Sequence, residues 1–345
     1  MRTLFSFAGN LIALAAAFGL LARYVSPQVF WPPSVVALLL PVLLLATLVF
    51  MILELVRGRW RAALLPAIVL CLSLSIAGRL FAWPGDRLAI DAETPTVTVL
   101  TGNQRMFRAA DGRDRDPAEV ENFFLRHPAD VILMQEVWPE RRSLNYLDAL
   151  RTGTGHADRH QQEKTYMATY ADDPEEVAAY FNDGAYNGIL VTDVATAIGK
   201  IRFINTHLRS NKISNMAQGI RGEESVSDQL NTLGHMFAGY GRTTRQRARQ
   251  AEHIRLLVDE SPYPVILGGD FNDVPSSYAY NVILSPRLQD AWAEAGAGLG
   301  TTFTGPIPGL RIDYFLVDTA LQVVHIKQLD SPWSDHRMRK LEVTR

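Results

Sequence analysis

The chain has 345 residues, of which 48% are hydrophobic and 20% are charged, and it contains a single cysteine. This composition excludes a collagen-like chain, a low-complexity chain and a secreted module held together by disulfides. The length favours two or more structural units. The net charge of −2 is unevenly distributed, because residues 1–83 carry six Arg and one Glu, a net +5, and the remaining 28 basic and 35 acidic residues give −7.

Three apolar runs dominate the first part of the chain, at residues 4–22, 35–56 and 62–82. Each is close to the ~20 residues that a helix needs to cross the hydrocarbon core of a bilayer. Tryptophans, whose rings favour the headgroup level, lie at the ends of these runs: Trp31, Trp60 and Trp83. A cleaved signal peptide would explain only the first run. The sequence therefore predicts three transmembrane helices.

The distribution of arginine predicts how these helices are oriented. The loop at 57–61 carries three Arg, whereas the loop at 24–34 carries no charge. Basic loops stay on the cytoplasmic side of a membrane. The N-terminus is thus expected inside, and everything after Trp83 outside. Cys71 lies in the third run, where we expect it to pack as a small apolar side chain.

A short linker at 84–94 precedes a predicted catalytic domain at 95–345. Short runs rich in β-branched residues predict strands at 96–101, 131–135, 189–192, 201–207, 265–268, 312–317 and 340–343. Helical patterns lie at 117–126, 140–151, 243–260 and 277–284. This alternation predicts an α/β domain with mixed sheets flanked by helices.

Polar side chains occur where many of these strands begin or end. They are Asn103, Glu136, His207, Asp270, Asn272, Asp313, Asp335 and His336. Each alone is compatible with an ordinary loop residue, but strand ends at one edge of a sheet converge, so together they indicate a site. A set rich in oxygen ligands suits Mg²⁺ or Mn²⁺ better than zinc. A histidine beside a carboxylate suits a general base, and amides with imidazoles suit the charge that develops on a phosphoryl group.

The motifs that contain these residues resemble the endonuclease/exonuclease/phosphatase superfamily, which has the deoxyribonuclease I-like fold. In chain order they are Leu-Thr-Gly-Asn103, Gln-Glu136, Asn-Thr-His207, Gly-Asp-Phe-Asn272, Arg-Ile-Asp313 and Ser-Asp-His336. The apolar N-terminus and the stretches 247–250 and 273–278 look like a membrane-anchored bacterial branch of that family. The resemblance implies a four-layer α/β sandwich of two packed mixed β-sheets, preceded by three transmembrane helices in a bacterial inner or plasma membrane. It also implies divalent-metal-dependent hydrolysis of phosphoester bonds.

The same resemblance implies which residues hold the metal. Glu136 would be the principal ligand of Mg²⁺ or Mn²⁺, with Asn103 beside it. Asp335 would support the metal, or a second metal position.

The resemblance further implies catalytic roles. His336 would be a general base or proton shuttle that Asp313 orients, and Asp270 would position or deprotonate the attacking water. Asn272 would bind a phosphate oxygen, and His207 would stabilise negative charge in the transition state. Whether Asp270 or His336 takes the proton stays open.

The substrate also stays open. Nucleic acid requires basic contacts, which the net charge of −7 after residue 83 opposes, although one cluster exists in Arg242, Arg245, Arg247 and Arg249. That cluster is equally compatible with a solvated helix face paired with Glu252. A membrane tether favours a phospholipid or sphingomyelin-type substrate, and the insertion at 210–241 is a candidate lid, lipid-contacting surface or packed segment. A non-catalytic membrane receptor is the remaining alternative, and no protein partner can be inferred.

Overall fold

The computed structural model describes residues 2–84, 88–109, 111–138, 146–182, 185–210, 226–305 and 309–345. These residues form two compact units. The first unit comprises the described residues within Met1–Phe81, Asn211–Glu252 and Asp273–Ile283. The second comprises those within Ala82–Ser210, His253–Asn272 and Leu284–Arg345. The linker at 84–94 and the domain at 95–345 remain predictions.

The first unit begins with four helices: α1 (Arg2–Leu20), α2 (Pro32–Ala37), α3 (Leu40–Val56) and α4 (Trp60–Leu80). Among the described residues, two helices are long and apolar enough to cross a membrane, Leu4–Arg23 and Trp60–Leu80. This finding is compatible with a membrane anchor or, for the first helix, with a signal sequence.

The prediction of three such helices is wrong for the run at 35–56, which the structure divides between α2 and α3. The ring of Pro41 has no N–H to donate and clashes with the carbonyl of Ala37, four residues earlier, so a helix begins there rather than continuing through. The 17 residues of α3 span ~26 Å, which is short of the ~30 Å hydrocarbon core.

The four N-terminal helices have a small core and an extensive apolar surface. The buried cluster draws on three of them, through Ala13, Ala16, Leu20, Leu40, Val69 and Ile76. Large apolar side chains at three- and four-residue spacing stay exposed along α1, namely Leu4, Phe7, Leu11 and Leu14. An exposed apolar stripe of this kind is unusual on the surface of a soluble protein.

The elements after residue 96 alternate between strands and helices. In chain order they are β1 (Val97–Asn103), α5 (Pro117–Arg126), β2 (Val131–Gln135), α6 (Leu147–Thr154), β3 (Arg159–His160), β4 (Met167–Ala171), β5 (Glu175–Phe181), β6 (Gly188–Thr196), β7 (Gly199–His207), α7 (Val226–Asp259), β8 (Val265–Asp270), α8 (Tyr278–Ile283), β9 (Leu288–Asp290), α9 (Ala291–Ala295), β10 (Asp313–Asp318), β11 (Gln322–Leu329) and β12 (Met338–Thr344). Each predicted strand overlaps an observed one. The start of the predicted helix at 140–151 and residues 211–225 of the insertion lie outside the described residues.

These strands form two six-stranded sheets, in the orders β11-β12-β1-β2-β4-β3 and β5-β6-β7-β8-β10-β9. Both sheets are mixed, because β1 and β2 run parallel in the first and β7 and β8 run parallel in the second, while their other neighbours are antiparallel. Apolar side chains of both sheets share one core, including Val99 and Leu133 from the first and Phe203, Ile266 and Phe315 from the second. The predicted α/β architecture of two packed mixed sheets is confirmed.

Strand β2 shows how the sequence specifies these layers. Successive side chains of a strand point to opposite faces. Val131 and Leu133 enter the core between the sheets, whereas Ile132 and Met134 join a second cluster that includes residues of α5 and α6. A strand that is buried on both faces reads as an unbroken apolar run, which is the pattern at 131–134.

Candidate active site

Asp270 is the central residue of the site, because it ends the strand that lies between two other site-bearing strands. The parallel register pairs it with His207 of β7, and the antiparallel register pairs it with Asp313 of β10. Its Oδ2 lies 3.6 Å from Nε2 of His207 and 3.9 Å from Nε2 of His336. Burial is the main reason that the pKa of Asp270 is raised to about 6.

Gly269 allows β8 to approach β7 closely at this point. Its φ is +137°, and a Cβ added there would lie 2.0 Å from the carbonyl oxygen of Thr206. Any other residue would have to push the two strands apart. The second glycine of the Gly-Gly-Asp sequence is therefore needed to place Asp270 beside His207.

Asn103 ends β1 and Glu136 follows β2, so both lie at the edge of the other sheet, and Asn103 contacts Asp270 there. The side-chain amide of Asn103 donates to Oε1 of Glu136 at 3.1 Å and to Oδ2 of Asp270 at 3.3 Å. Glu136 follows β2 with a φ of +48°, a left-handed conformation that is uncommon outside glycine and concentrates at functional sites. Asn103 thus links the carboxylates of the two sheets. A ligand role for Asn103 requires Oδ1, which here accepts from the backbone N–H of Arg105, so that role stays a prediction.

His336 and Asp313 form a buried pair. Nδ1 of His336 lies 3.1 and 3.0 Å from the two carboxylate oxygens of Asp313. Burial alone would lower the pKa of His336, but the negative charges of Asp313 and Asp270 outweigh it and raise this pKa to about 10. The role of Asp313 in orienting a catalytic His336, which the family resemblance implies, stays a prediction.

Asn272 lies two residues beyond Asp270 and turns the chain back toward it. Its φ is +50°, a conformation that asparagine adopts more readily than most residues. Its backbone N–H donates to Oδ1 of Asp270 at 2.7 Å, and its side-chain amide donates to the carbonyl of Leu208 at 3.0 Å. The phosphate-binding role of Asn272 stays a prediction.

Asp335 lies beside His336 in the chain, but its carboxylate is partly exposed and is 4.0 Å from Nε of Arg105. Its charge contributes to the raised pKa of His336. A metal-binding role for Asp335 stays a prediction.

The donor set suits a divalent cation. Among the described residues, one group of carboxylates and imidazoles has ligand atoms within 4.8 Å of one another, formed by Asp270, Asp313 and His336. Nε2 of His207 is buried without a hydrogen-bond partner and lies 3.8 Å from Oε1 of Glu136. The carboxylates of Asp270 and Asp313 within this group, with that of Glu136 beside it, form an oxygen-rich set that fits a hard cation such as Mg²⁺ or Mn²⁺. The group contains residues for which catalytic roles were predicted, and the predicted ligand Glu136 lies beside it.

Two residues that support the site were not singled out from the sequence. Ser334 donates to the carbonyl of Asn103 at 2.7 Å and accepts from the backbone N–H of His336 at 3.0 Å. Thr302 accepts from the backbone N–H groups of Ile312 and Asp313, at 3.0 and 3.1 Å. The Ser-Asp-His motif already contains the first of these residues, whereas no local pattern marks Thr302.

The predicted cluster of four arginines is not a uniform basic surface. Arg247 is buried and pairs with Asp273, with 2.9 Å between Nε and Oδ2. Glu252, the predicted acidic partner of the cluster, accepts hydrogen bonds from Gln28 and Tyr278. Arg247 is therefore held by an ion pair within the first unit and does not belong to an exposed basic surface.

Two packed mixed sheets with carboxylates, imidazoles and amides at one shared edge define a phosphoester hydrolase. The chain belongs to the Endonuclease/Exonuclease/phosphatase family, whose model matches residues 100–336. Residues 2–80 match a separate domain of unknown function, DUF8431. No curated protein matches this chain.

Solved structures are similar to this chain at low sequence identity. An endonuclease/exonuclease/phosphatase from Bacteroides vulgatus is 19% identical, with a TM-score of 0.50 over 72% of this chain and 98% of that one. A humanized TDP2 from D. rerio is 15% identical, with a TM-score of 0.49 over 72% of this chain and 99% of that one.

Proposed function

We propose that the chain is a membrane-anchored phosphodiesterase of the nuclease type, which uses Mg²⁺ or Mn²⁺ and water to cleave phosphoester bonds in nucleic acid. The observation that carries this proposal is the position of Asp270 between two imidazoles, with Asp313 behind one of them. This arrangement supplies groups that accept and return a proton and groups that stabilise a phosphoryl oxygen.

His336 and Asp270 are suited to move the proton of the attacking water. Nδ1 of His336 donates to Asp313, so Nε2 is the nitrogen that exchanges a proton with the substrate side. Nε2 and Oδ2 of Asp270 are 3.9 Å apart, too far for a direct hydrogen bond, and they face the same space. Because the pKa of His336 is raised to about 10 and that of Asp270 to about 6, a water between them can pass its proton to Asp270 as its oxygen attacks phosphorus. The protonated His336 can then donate from Nε2 to the leaving oxygen.

His207 is suited to stabilise the negative charge that this attack creates. Its Nδ1 donates to the carbonyl of Tyr186 at 2.8 Å, which fixes the ring orientation and leaves Nε2 facing Glu136 and Asp270. Nε2 lies 3.8 Å from Oε1 of Glu136 and 3.6 Å from Oδ2 of Asp270, which places it to face a phosphoryl oxygen bound at this site.

Glu136 and Asp270 are the carboxylates placed to hold the cation. The side-chain amide of Asn103 donates to both of them and so keeps them close together. When bound, a divalent cation polarises a phosphoryl oxygen and lowers the pKa of a coordinated water.

Two features of the first unit are evidence for a membrane anchor and for a catalytic domain outside the cytoplasm. Leu4–Arg23 and Trp60–Leu80 are long enough to span a membrane, and apolar side chains stay exposed along both, for example Leu11 and Leu72. The three Arg at 57–61 favour the cytoplasmic side for that loop.

A phospholipid or sphingomyelin-type phosphoester is the second candidate substrate. The exposed apolar stripe of α1 favours it, because a chain held by such helices meets lipid headgroups at high local concentration. Hydrolysis of vesicle lipids without hydrolysis of nucleic acid would identify this function.

A metal titration tests the proposal on the full chain in detergent micelles. We expect hydrolysis of a soluble phosphodiester reporter to depend on Mg²⁺, and Glu136→Gln to raise the Mg²⁺ concentration for half-maximal rate at least tenfold. Glu163→Gln is the matched control, because Glu163 is exposed and pairs only at the surface with Lys164. An unchanged titration in Glu136→Gln would remove this residue from the metal site.

A further inference from the structure

Three aromatic side chains form a stacked cluster beside Glu136 and His207. The rings of Tyr166 and Tyr186 are parallel within 12°, with centroids 4.0 Å apart. Trp138 meets Tyr166 edge-on, at 82° and 5.7 Å. We call Trp138, Tyr166 and Tyr186 the aromatic wall.

The backbone ties the aromatic wall directly to the catalytic residues. Trp138 lies two positions after Glu136, and the N–H of Val137 donates to the carbonyl of Tyr166 at 3.0 Å. The carbonyl of Tyr186 accepts from Nδ1 of His207 at 2.8 Å. A ligand that touches the wall therefore lies beside the chain segments that carry Glu136 and His207.

Within the described part of the chain, two members of the aromatic wall are exposed. Tyr186 is 49% exposed, although Tyr166 stacks against one of its faces. The side of the Tyr186 ring that faces away from Tyr166 is therefore the one open to a ligand. Trp138 is 39% exposed.

The shape of this surface favours a planar ring over a cationic headgroup. A quaternary ammonium is bound in cages where several ring faces converge. Here the faces of Tyr166 and Tyr186 are turned toward each other and Trp138 is edge-on, so a single flat face remains. A flat aromatic face accepts another aromatic ring by stacking.

A basic side chain, Arg108, lies near the aromatic wall. The pKa of the Tyr186 hydroxyl is raised by the hydrogen bond with Tyr166, by burial and by the charge on Glu136, and Arg108 lowers it to a smaller extent. Arg108 also pairs with Asp114 at 3.4 Å. An aromatic ring beside an arginine is a combination with which proteins hold unpaired bases and their phosphates.

We propose that Tyr186, supported by Tyr166 and Trp138, is a stacking subsite for an unpaired nucleobase next to the phosphodiester that is cleaved. The inference rests on the proposed function, because it names single-stranded nucleic acid as the substrate of the same site. It makes the protein selective for phosphodiesters that carry a base, without selecting a particular base, since every base has a ring face.

Two oligonucleotides of equal length test the subsite on the full chain, one with ordinary bases and one with abasic residues throughout. With Mg²⁺, we expect the ratio of kcat/KM for the two substrates to fall roughly 5- to 100-fold in Tyr186→Ala and to be kept in Tyr186→Phe, which retains the ring. Tyr180→Ala is the matched control, because Tyr180 is 40% exposed and contacts His253 instead. Equal losses on both substrates, or no loss, would overturn the subsite.

Binding in EDTA separates this inference from the proposed function. Fluorescence anisotropy of the same labelled oligonucleotides requires no hydrolysis. A preference for the base-containing strand in EDTA that is lost in Tyr186→Ala, together with no hydrolysis of either strand in Mg²⁺, would support the subsite and contradict the proposed function. Hydrolysis in Mg²⁺ without such a preference in binding would support the proposed function and contradict the subsite. Loss of binding to phosphatidylcholine vesicles in Tyr186→Ala, with unchanged oligonucleotide binding, would assign the wall to a lipid headgroup and overturn the inference.

Discussion

Replacing His336 with glutamine tests the electrostatics of the site in the metal-free protein. The pKa of His336 is about 10 in the folded chain, against an ordinary value of 6.5. A difference of one unit between the folded and unfolded pKa values corresponds to about 1.4 kcal/mol, so protonation of the ring stabilises the folded chain by at most ~5 kcal/mol. Because the folded pKa is the higher one, this stabilisation is complete below pH 6.5 and is lost as the pH rises through about 10.

The assay is thermal unfolding of the full chain in detergent with EDTA, at several pH values from 6.5 to 10. We expect the melting temperature of the wild-type chain to fall more steeply over this range than that of His336→Gln, which cannot gain or lose a proton. His235→Gln, which replaces an exposed histidine, should follow the wild type. Parallel curves for the wild type and His336→Gln would refute the claim that Asp313 and Asp270 hold a proton on this ring.

Three further predictions concern the hydrogen bonds of Thr302, the buried ion pair of Arg247 and the side of the membrane on which the catalytic domain lies. Thr302→Val leaves the backbone N–H groups of Ile312 and Asp313 without their shared acceptor, so denaturant unfolding should show a loss of roughly 1–3 kcal/mol, and an unaltered midpoint would exclude this support. Asp273→Ala leaves Arg247 buried without its carboxylate, and the same assay should show a loss of ~3–5 kcal/mol; a loss below ~1 kcal/mol would contradict a buried ion pair. Protease added to intact spheroplasts should remove the catalytic domain, whereas full protection would reverse the proposed topology.

The predicted bounds of an element agree with the structure where a local sequence signal sets them. β2 is buried on both faces, and its apolar run has the predicted bounds. α5 also has the predicted bounds, because Asp116 caps its first turn and Pro117 begins it. The prediction of one helix through the second apolar run is wrong because Pro41 was expected to be tolerated inside that helix, whereas the structure begins a new helix there.

The parts of the site that the sequence could not give depend on tertiary structure. Asp270, His207 and Asp313 end or begin neighbouring strands, so their convergence was predictable. Tyr166 and Tyr186 precede β4 and β6, which lie in different sheets, and nothing local to either residue indicates that their rings stack. Arg247 is a similar case, since its burial follows from how the first unit packs rather than from its helical spacing.

The central claim is that this site cleaves phosphodiesters with a divalent cation. The most direct measurement is cleavage of a single-stranded oligonucleotide by the full chain with Mg²⁺, compared with EDTA and with His336→Ala. The account predicts cleavage that EDTA abolishes and that His336→Ala slows roughly 10²–10⁴-fold. Cleavage that persists in EDTA, a loss under about tenfold in His336→Ala, or no cleavage by folded wild-type protein would contradict it.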